Sequence, residues 1–154
     1  MKLRPIRYSD RATVEAALNR YIGILAPGMR RLDADPFFYA PDNFGYMTLD
    51  YRALALFSAD VDFTYQAHLL CESPYRGKRA VEFGRAAVAA LFTRRDAPAI
   101  TAEIPRENKH SRLVCRAIGG TPFADSVDCF DRPCIRYILT RATWEASLAE
   151  SPRA

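Results

Sequence analysis

The sequence lacks any long apolar run. No window approaches the roughly 18 consecutive apolar residues that a membrane-spanning helix needs. The first residues, Met1-Lys2-Leu3-Arg4-Pro5, also lack the apolar segment of a signal peptide. We therefore expect a cytoplasmic protein that does not enter a membrane.

Metal-binding residues are scarce and badly spaced. The chain has only two histidines, His68 and His110, and they lie far from Cys129 and Cys134. Those two cysteines are separated by four residues, which is wider than the two-residue spacing of a usual metal hook. We predict no metal site, and in a reducing compartment all four cysteines should be free thiols.

Positive charge is present but is not concentrated. The 22 Lys and Arg residues face 18 Asp and Glu residues, and the net charge of +4 comes from bases that alternate with acids. This mild excess suits a phosphorylated small ligand. It argues against a nucleic-acid-binding module, which would need clustered bases and an aromatic stacking platform. The length of 154 residues predicts one domain.

Apolar periodicity predicts an α/β chain that starts with antiparallel strands and then alternates strands with helices. The predicted elements are a strand at 3–8, a helix at 12–25, three strands between 44 and 71, a helix at 80–92, a strand at 99–104, a helix at 111–118, strands at 123–130 and 135–139, and a helical turn at 143–148 with Trp144 as its anchor. This order implies a mixed central sheet, an antiparallel N-terminal meander followed by parallel βα units, with helices on both faces.

The polar stretch 30–43 interrupts this pattern as a long loop, with room for one short helical turn. Its aromatic residues Phe37, Phe38 and Tyr39 have two interpretations. They either line a binding pocket, since long ordered loops often carry function, or plug an edge of the core.

A cationic turn joins a strand to a helix between His68 and Gly84. The strand breaks at Ser73-Pro74, and the run Arg76-Gly77-Lys78-Arg79 leads directly into helix-forming residues. A glycine-containing turn at a helix start leaves backbone N–H groups free, and the helix dipole and nearby cations add positive charge. The pattern predicts a phosphate-binding turn, with a solvated basic loop as the other interpretation.

Two segments resemble the GNAT superfamily of N-acetyltransferases, which transfer an acetyl group from acetyl-CoA to an amine. The segment 69–78 resembles the strand and pyrophosphate loop of that family, and the segment 104–111 resembles the strand end and Asn-containing helix start that follow it. They occur in the family's order, within the third of the chain from His68 to Gly120. The resemblance implies one GNAT-like domain over residues 1–154, with acetyl-CoA as co-substrate and no metal.

The chain departs from the family pattern in both segments. Arg79 and Val81 stand where the family loop has small residues, so only Gly77 remains. The loop then either approaches the pyrophosphate less closely or uses the Arg79 side chain in place of a backbone contact. Cys115 stands where the family often has a general-acid Tyr, and Gly119-Gly120 replaces Gly-Phe. Cys115 is therefore either a proton donor to the leaving thiolate or a small core residue.

The resemblance also implies residue roles. His68 is the candidate general base, with a hydrogen-bonded strand histidine as the alternative, while Glu72 and Glu103 are weaker candidates. Backbone N–H groups of the strand end would polarise the thioester carbonyl, and the cationic turn would take the pyrophosphate. The expected cofactor-binding residues are Leu69, Leu70, Cys71, Arg76, Gly77, Lys78, Arg79, Ala80, Asn108 and Ser111, and the expected catalytic residues are His68 and Cys115.

The acceptor is expected to be a small-molecule or peptide amine, which Asp33, Asp35 and Asp42 on the long loop would attract. Whether the chain forms a homodimer is left open. The alternative function is a catalytically inactive module of the same fold that binds acyl-CoA or a protein partner. The missing Tyr and the irregular glycine pattern favour that alternative.

Overall fold

The computed structural model describes residues 1–150. The strands are β1 Leu3–Pro5, β2 Phe44–Thr48, β3 Ala53–Ala59, β4 Tyr65–Cys71, β5 Ala99–Pro105, β6 Thr121–Val127 and β7 Pro133–Thr140. The helices are α1 Arg11–Arg20, α2 Ile22–Leu25, α3 Asp35–Tyr39, α4 Lys78–Arg94, α5 Lys109–Ile118 and α6 Arg141–Glu150. Short 3-10 turns cover Tyr8–Asp10, Val61–Phe63 and Ser73–Tyr75.

The strands are hydrogen-bonded in the order β1-β2-β3-β4-β5-β7-β6. β4 and β5 run parallel, whereas β1–β2, β2–β3, β5–β7 and β6–β7 are antiparallel. The predicted mixed sheet with an antiparallel start is confirmed. The parallel part is shorter than the alternating pattern suggested, because β6 and β7 form a hairpin and β7 pairs with β5 in the opposite direction.

The described residues group into two compact units. Unit 1 comprises residues 1–58 and 67–87, and unit 2 comprises residues 59–66 and the described chain from Val88 onward. β4 and α4 each contribute residues to both units.

Unit 1 has an apolar core between α1 and its strands. The buried cluster is formed by Val14, Ala17, Ala34, Met47, Leu54, Leu56 and Leu70. Phe37 and Phe38 of α3 pack against it, whereas Tyr39 is 70% exposed. The core-edge interpretation therefore holds for Phe37 and Phe38, which are partly buried against the core.

Two predicted boundaries in unit 1 are wrong. The first strand ends at Pro5 instead of residue 8, because the Asp10 carboxylate accepts a hydrogen bond from the Arg7 N–H at 2.8 Å and starts a 3-10 turn. The Arg4 guanidinium binds the same carboxylate at 2.7 and 2.8 Å. The predicted helix 12–25 is divided at Tyr21, whose φ of −107° and ψ of 13° lie outside the helical range.

In unit 2 the chain after β7 is more ordered than the predicted helical turn. α6 spans Arg141–Glu150, and the Trp144 ring lies 5.2 Å from the Phe92 ring, which confirms Trp144 as an anchor. The Arg141 guanidinium donates to the carbonyl of Phe92 in the last turn of α4 and to the carbonyls of Arg95 and Ala97 just after the helix. It therefore satisfies one of the terminal carbonyls of α4 and fixes the chain that leaves the helix.

Candidate functional site

The cationic turn of unit 1 ends in a helix start whose amides are free. Gly77 adopts a left-handed φ of +58°, and α4 begins at Lys78, two residues before the predicted start. The amides of Ala80 and Val81 already donate to the Gly77 carbonyl at 3.1 and 3.3 Å. The amides of Gly77, Lys78 and Arg79 have no acceptor among the described residues. The N-terminus of a 17-residue helix therefore offers three backbone donors to an anion.

Three cationic side chains surround these amides. Arg76, Lys78 and Arg79 are all exposed. The Arg79 guanidinium folds back toward the Pro74 carbonyl at 3.4 Å, and the Lys78 ammonium lies 4.0 Å from Glu82. A Cβ on Gly77 would meet nothing within 4 Å, so its left-handed backbone is the reason for glycine here.

Polar contacts within unit 1 hold the residues that lead into the cationic turn. The Tyr75 hydroxyl donates to Asp50 at 3.1 Å, and the Glu72 N–H donates to the Arg52 carbonyl at 2.9 Å. The Glu72 carboxylate forms an ion pair with Arg20, so this candidate base is already engaged. Hydrogen bonds from Thr48, the Arg52 amide and Tyr75 lower the pKa of Asp50, and its carboxylate stays ionised. Asp50 and Tyr75 carried no sequence signal for this role.

His68 lies on β4, five residues before the 3-10 turn Ser73–Tyr75 begins. Strand alternation places it on the same face as Leu70, which is buried in the core of unit 1, but His68 itself is only half-buried and keeps an accessible part. Burial lowers the pKa of His68 below 6.5, so the imidazole is neutral at pH 7. Its side chain forms no hydrogen bond with any described residue, which does not support the reading of a hydrogen-bonded strand histidine.

The end of β4 is fixed through its backbone. The Tyr21 hydroxyl, at the break between α1 and α2, donates to the Cys71 carbonyl at 2.8 Å. Burial raises the pKa of the Cys71 thiol to about 11, so this thiol stays protonated at neutral pH. The predicted cofactor residues Leu69, Leu70 and Cys71 therefore lie on a strand end that Tyr21 anchors.

In unit 2, Asn108 and Ser111 come together at the start of α5. Asn108 is the N-cap, and its side-chain oxygen accepts from the Ser111 N–H at 3.2 Å. This contact satisfies one of the free amides of α5. Asn108 thus has a structural role, and its amide NH₂ group is the part left to meet a ligand.

Cys115 packs against the C-terminal turn of α5. Gly119 adopts a φ of +117°, and the Gly120 N–H donates to the Cys115 carbonyl at 2.9 Å. A Cβ on Gly120 would lie 2.7 Å from the Cys115 sulfur, so the thiol fills the space that glycine leaves. Burial raises the pKa of Cys115 to about 11. It is a weaker acid than an ordinary thiol of pKa near 8.5, and transfer of its proton to such a thiolate is unfavourable.

Tyr137 is a buried residue that sequence reasoning missed. Its side chain in β7 is 1% exposed, and its hydroxyl has no hydrogen-bond partner among the described residues. Buried hydroxyls are normally paired, since an unpaired one costs about 1–3 kcal/mol. The only sequence signal was a strand pattern at 135–139.

Neither a metal cluster nor a membrane-spanning helix is found within residues 1–150. No group of three or more His, Cys, Asp or Glu side chains there is arranged to hold a metal ion. No helix in the same range is long and apolar enough to cross a bilayer.

The strand order and the split helices define a fold class, that of the GNAT N-acetyltransferases, and the fold expected from the resemblance is confirmed. The spermidine N-acetyltransferase of Vibrio cholerae in complex with CoA and spermine matches with a TM-score of 0.75 at 12% identity, covering 94% of this chain and 97% of that one. Aminoglycoside acetyltransferase AAC(6')-Ib in complex with coenzyme A and kanamycin matches with a TM-score of 0.76 at 16% identity, covering 96% and 98%.

A third match is the ribosomal-protein-S5-alanine acetyltransferase of Vibrio fischeri, with a TM-score of 0.71 at 16% identity over 92% of this chain and 93% of that one. No protein-family model matches the sequence, and no curated protein matches it. At identities this low the likeness establishes the fold, and function has to be argued from this chain's own residues.

Proposed function

We propose that the protein is an acetyl-CoA-dependent N-acetyltransferase that acts on a primary amine by direct transfer. The observation that carries the proposal is the start of α4, where three amides with no acceptor within residues 1–150 lie among three exposed cations. This arrangement suits a pyrophosphate, because backbone N–H donors, the helix dipole and flexible cationic side chains all stabilise a bound anion. CoA carries such a group, and two of the matched structures contain CoA or coenzyme A.

Direct transfer needs an oriented thioester, a neutral amine and stabilisation of the tetrahedral oxyanion. We assign orientation to the backbone of Leu69, Leu70 and Cys71, which Tyr21 steadies at its end. We assign proton removal from the amine to His68. Its lowered pKa keeps the imidazole neutral and able to accept a proton at pH 7.

The proposal also covers the acceptor, the domain organisation and the cellular location. The acceptor is a small-molecule or peptide amine, in line with the spermine and kanamycin of two matched structures. We propose that residues 1–154 act as a single domain in the cytoplasm, with no metal in the reaction.

A catalytically inactive module that binds acyl-CoA is the second candidate. Cys115 favours it, because the buried thiol at the family's general-acid position is a weak acid. This candidate keeps the pyrophosphate site at the start of α4 and loses only the transfer step.

Thermal unfolding with and without acetyl-CoA tests cofactor binding. At about 100 times its dissociation constant, a ligand that binds only the native state adds about 2.7 kcal/mol of stability. We expect the double variant Arg76→Ala, Arg79→Ala to lose this gain. The matched control, Lys2→Ala with Arg30→Ala, removes the same charge from exposed positions elsewhere and should keep it.

No stabilisation of the wild type at millimolar acetyl-CoA would contradict both candidates. Stabilisation without release of CoA thiol across a panel of primary amines would favour the inactive module. Thiol release that depends on one amine would establish the transferase and identify its acceptor class.

A further inference from the structure

Unit 2 contains a polar cavity that the proposed reaction does not use. Its volume is about 190 Å³, and it is lined by Asp60, Gln66, Thr101, Glu103 and Arg136. Strand register brings these residues together, because Gln66 of β4 is opposite Thr101 of β5, and Glu103 of β5 is opposite Arg136 of β7. Asp60 joins them from the connection between β3 and β4.

The polar groups of this cavity are largely uncommitted. The side chains of Gln66, Thr101 and Glu103 form no hydrogen bond or ion pair within the described chain. Opposite charges on directly opposed strand residues usually attract each other. Glu103 and Arg136 nevertheless form no ion pair, and the Arg136 guanidinium lies over the Phe123 ring at 5.1 Å.

The charges in the cavity are mixed. Asp60 and Glu103 are carboxylates and Arg136 is a cation, so the lining has one negative charge in excess. The Asp60 carboxylate accepts from the adjacent Val61 N–H at 2.8 Å, which orders it without neutralising it. Carboxylates attract an ammonium group, and a guanidinium binds a carboxylate in a bidentate manner.

We propose that this cavity binds a small ligand that carries both an ammonium and a carboxylate group, as an amino acid does. The ammonium lies against Glu103 and Asp60, the carboxylate lies against Arg136, and Thr101 and Gln66 supply neutral hydrogen bonds. The volume is below the roughly 300–1,000 Å³ of pockets for drug-sized ligands, so the ligand is of amino-acid size and not an oligosaccharide. The inference depends on the cavity alone and not on the proposed acetyl transfer.

The test is calorimetric titration of the full chain with two matched pairs of probes. L-Lysine is compared with 1,5-diaminopentane, and L-alanine with ethylamine, because each pair differs only by the carboxylate. We expect at least one of the two amino acids to bind. Arg136→Gln should weaken that binding at least tenfold, in line with one lost charge-assisted contact, and should not weaken binding of its decarboxylated partner.

Glu103→Gln should weaken the amino acid and its amine partner alike, since it acts on the shared ammonium. Arg116→Gln is the charge-matched control on an exposed position of α5 and should change neither affinity. Arg136→Lys keeps the charge without the bidentate geometry, and it should give an intermediate loss. Circular dichroism confirms that each variant is folded before it is titrated.

Failure of both amino acids to bind at 20 mM would overturn the proposal, as would an equal loss for both members of a pair in Arg136→Gln. A parallel assay with acetyl-CoA shows whether the bound amino acid is also the acetyl acceptor. If it is acetylated, the cavity is part of the acceptor site. If it binds without being acetylated, it is an unreacted ligand, and either result supports the binding site. Absence of acetyl-CoA binding would remove only the proposed function.

Discussion

The starts of α4 and α5 differ in how their first backbone amides find hydrogen-bond acceptors. Each helix follows a strand and a short turn, and each begins with amides that have no partner in the helix. At α5 the chain itself satisfies two of them, because the Asn108 side chain accepts from the Ser111 N–H at 3.2 Å and the Glu107 carbonyl accepts from the Lys109 N–H at 2.8 Å. At α4 a left-handed Gly77 leads into amides that have no acceptor in the described part of the chain. A helix start becomes a candidate anion site when the protein leaves it uncapped.

The largest expected effect concerns His68, on the strand that leads to the uncapped start. A positioned general base contributes about 10²- to 10⁴-fold to rate, so His68→Gln should lower kcat/KM by at least 100-fold while acetyl-CoA still stabilises the protein. The wild-type kcat/KM should fall as the pH drops through the lowered pKa of His68, below 6.5. The pH profile of kcat/KM checks this, and a variant with unchanged activity would remove His68 from the mechanism.

The same histidine sets a pH dependence of stability. Its pKa is lower in the folded state, so the unfolded state binds more protons as the pH falls below 6.5. The contribution of His68 is therefore fully present above pH 6.5 and is lost as the pH falls through the folded-state pKa. Unfolding free energies measured by denaturant titration should show a weaker acid-side decline in His68→Gln.

Substitution of Gly77 tests whether the uncapped start of α4 depends on the left-handed backbone conformation of this residue. Gly77→Ala should lower the free energy of unfolding by about 1–2 kcal/mol and weaken acetyl-CoA binding, because an L-residue is strained in the left-handed region. Gly77→Asn is the control, since asparagine tolerates that conformation. Denaturant titration and ligand-induced thermal shifts measure both effects, and equal losses in the two variants would mean that side-chain bulk is responsible.

Substitution of Asn108 tests the capped start of α5, and its expected effect on stability is the smallest of those predicted. Asn108→Ala should cost about 1 kcal/mol of stability through the lost cap, and Asn108→Asp, which still caps, should retain most of it. If the side chain only caps, acetyl-CoA affinity at equal fractions folded stays unchanged. A loss of affinity in both variants would instead assign the Asn108 amide a contact with the cofactor.

Local patterns carried most of what the sequence predicted. The turn from His68 to Ala80 is a contiguous strand, turn and helix, so its composition was enough to identify it before the structure. The break at Tyr21 and the early end of β1 were missed, because they depend on side chains that bind distant or flanking backbone groups. The polar cavity was out of reach, since its members come from separate segments that only strand register brings together.

Arg141 gives the far end of α4 an unusual resistance to fraying. The last carbonyls of a helix normally exchange protein partners for water many times before the whole structure opens. Here one guanidinium binds the Phe92 carbonyl in the last turn and the carbonyls of Arg95 and Ala97 just beyond it, and the Trp144 ring lies 5.2 Å from the Phe92 ring. The final turn of α4 can therefore open to solvent only when the start of α6 departs with it, so the two segments should open and close as one cooperative unit.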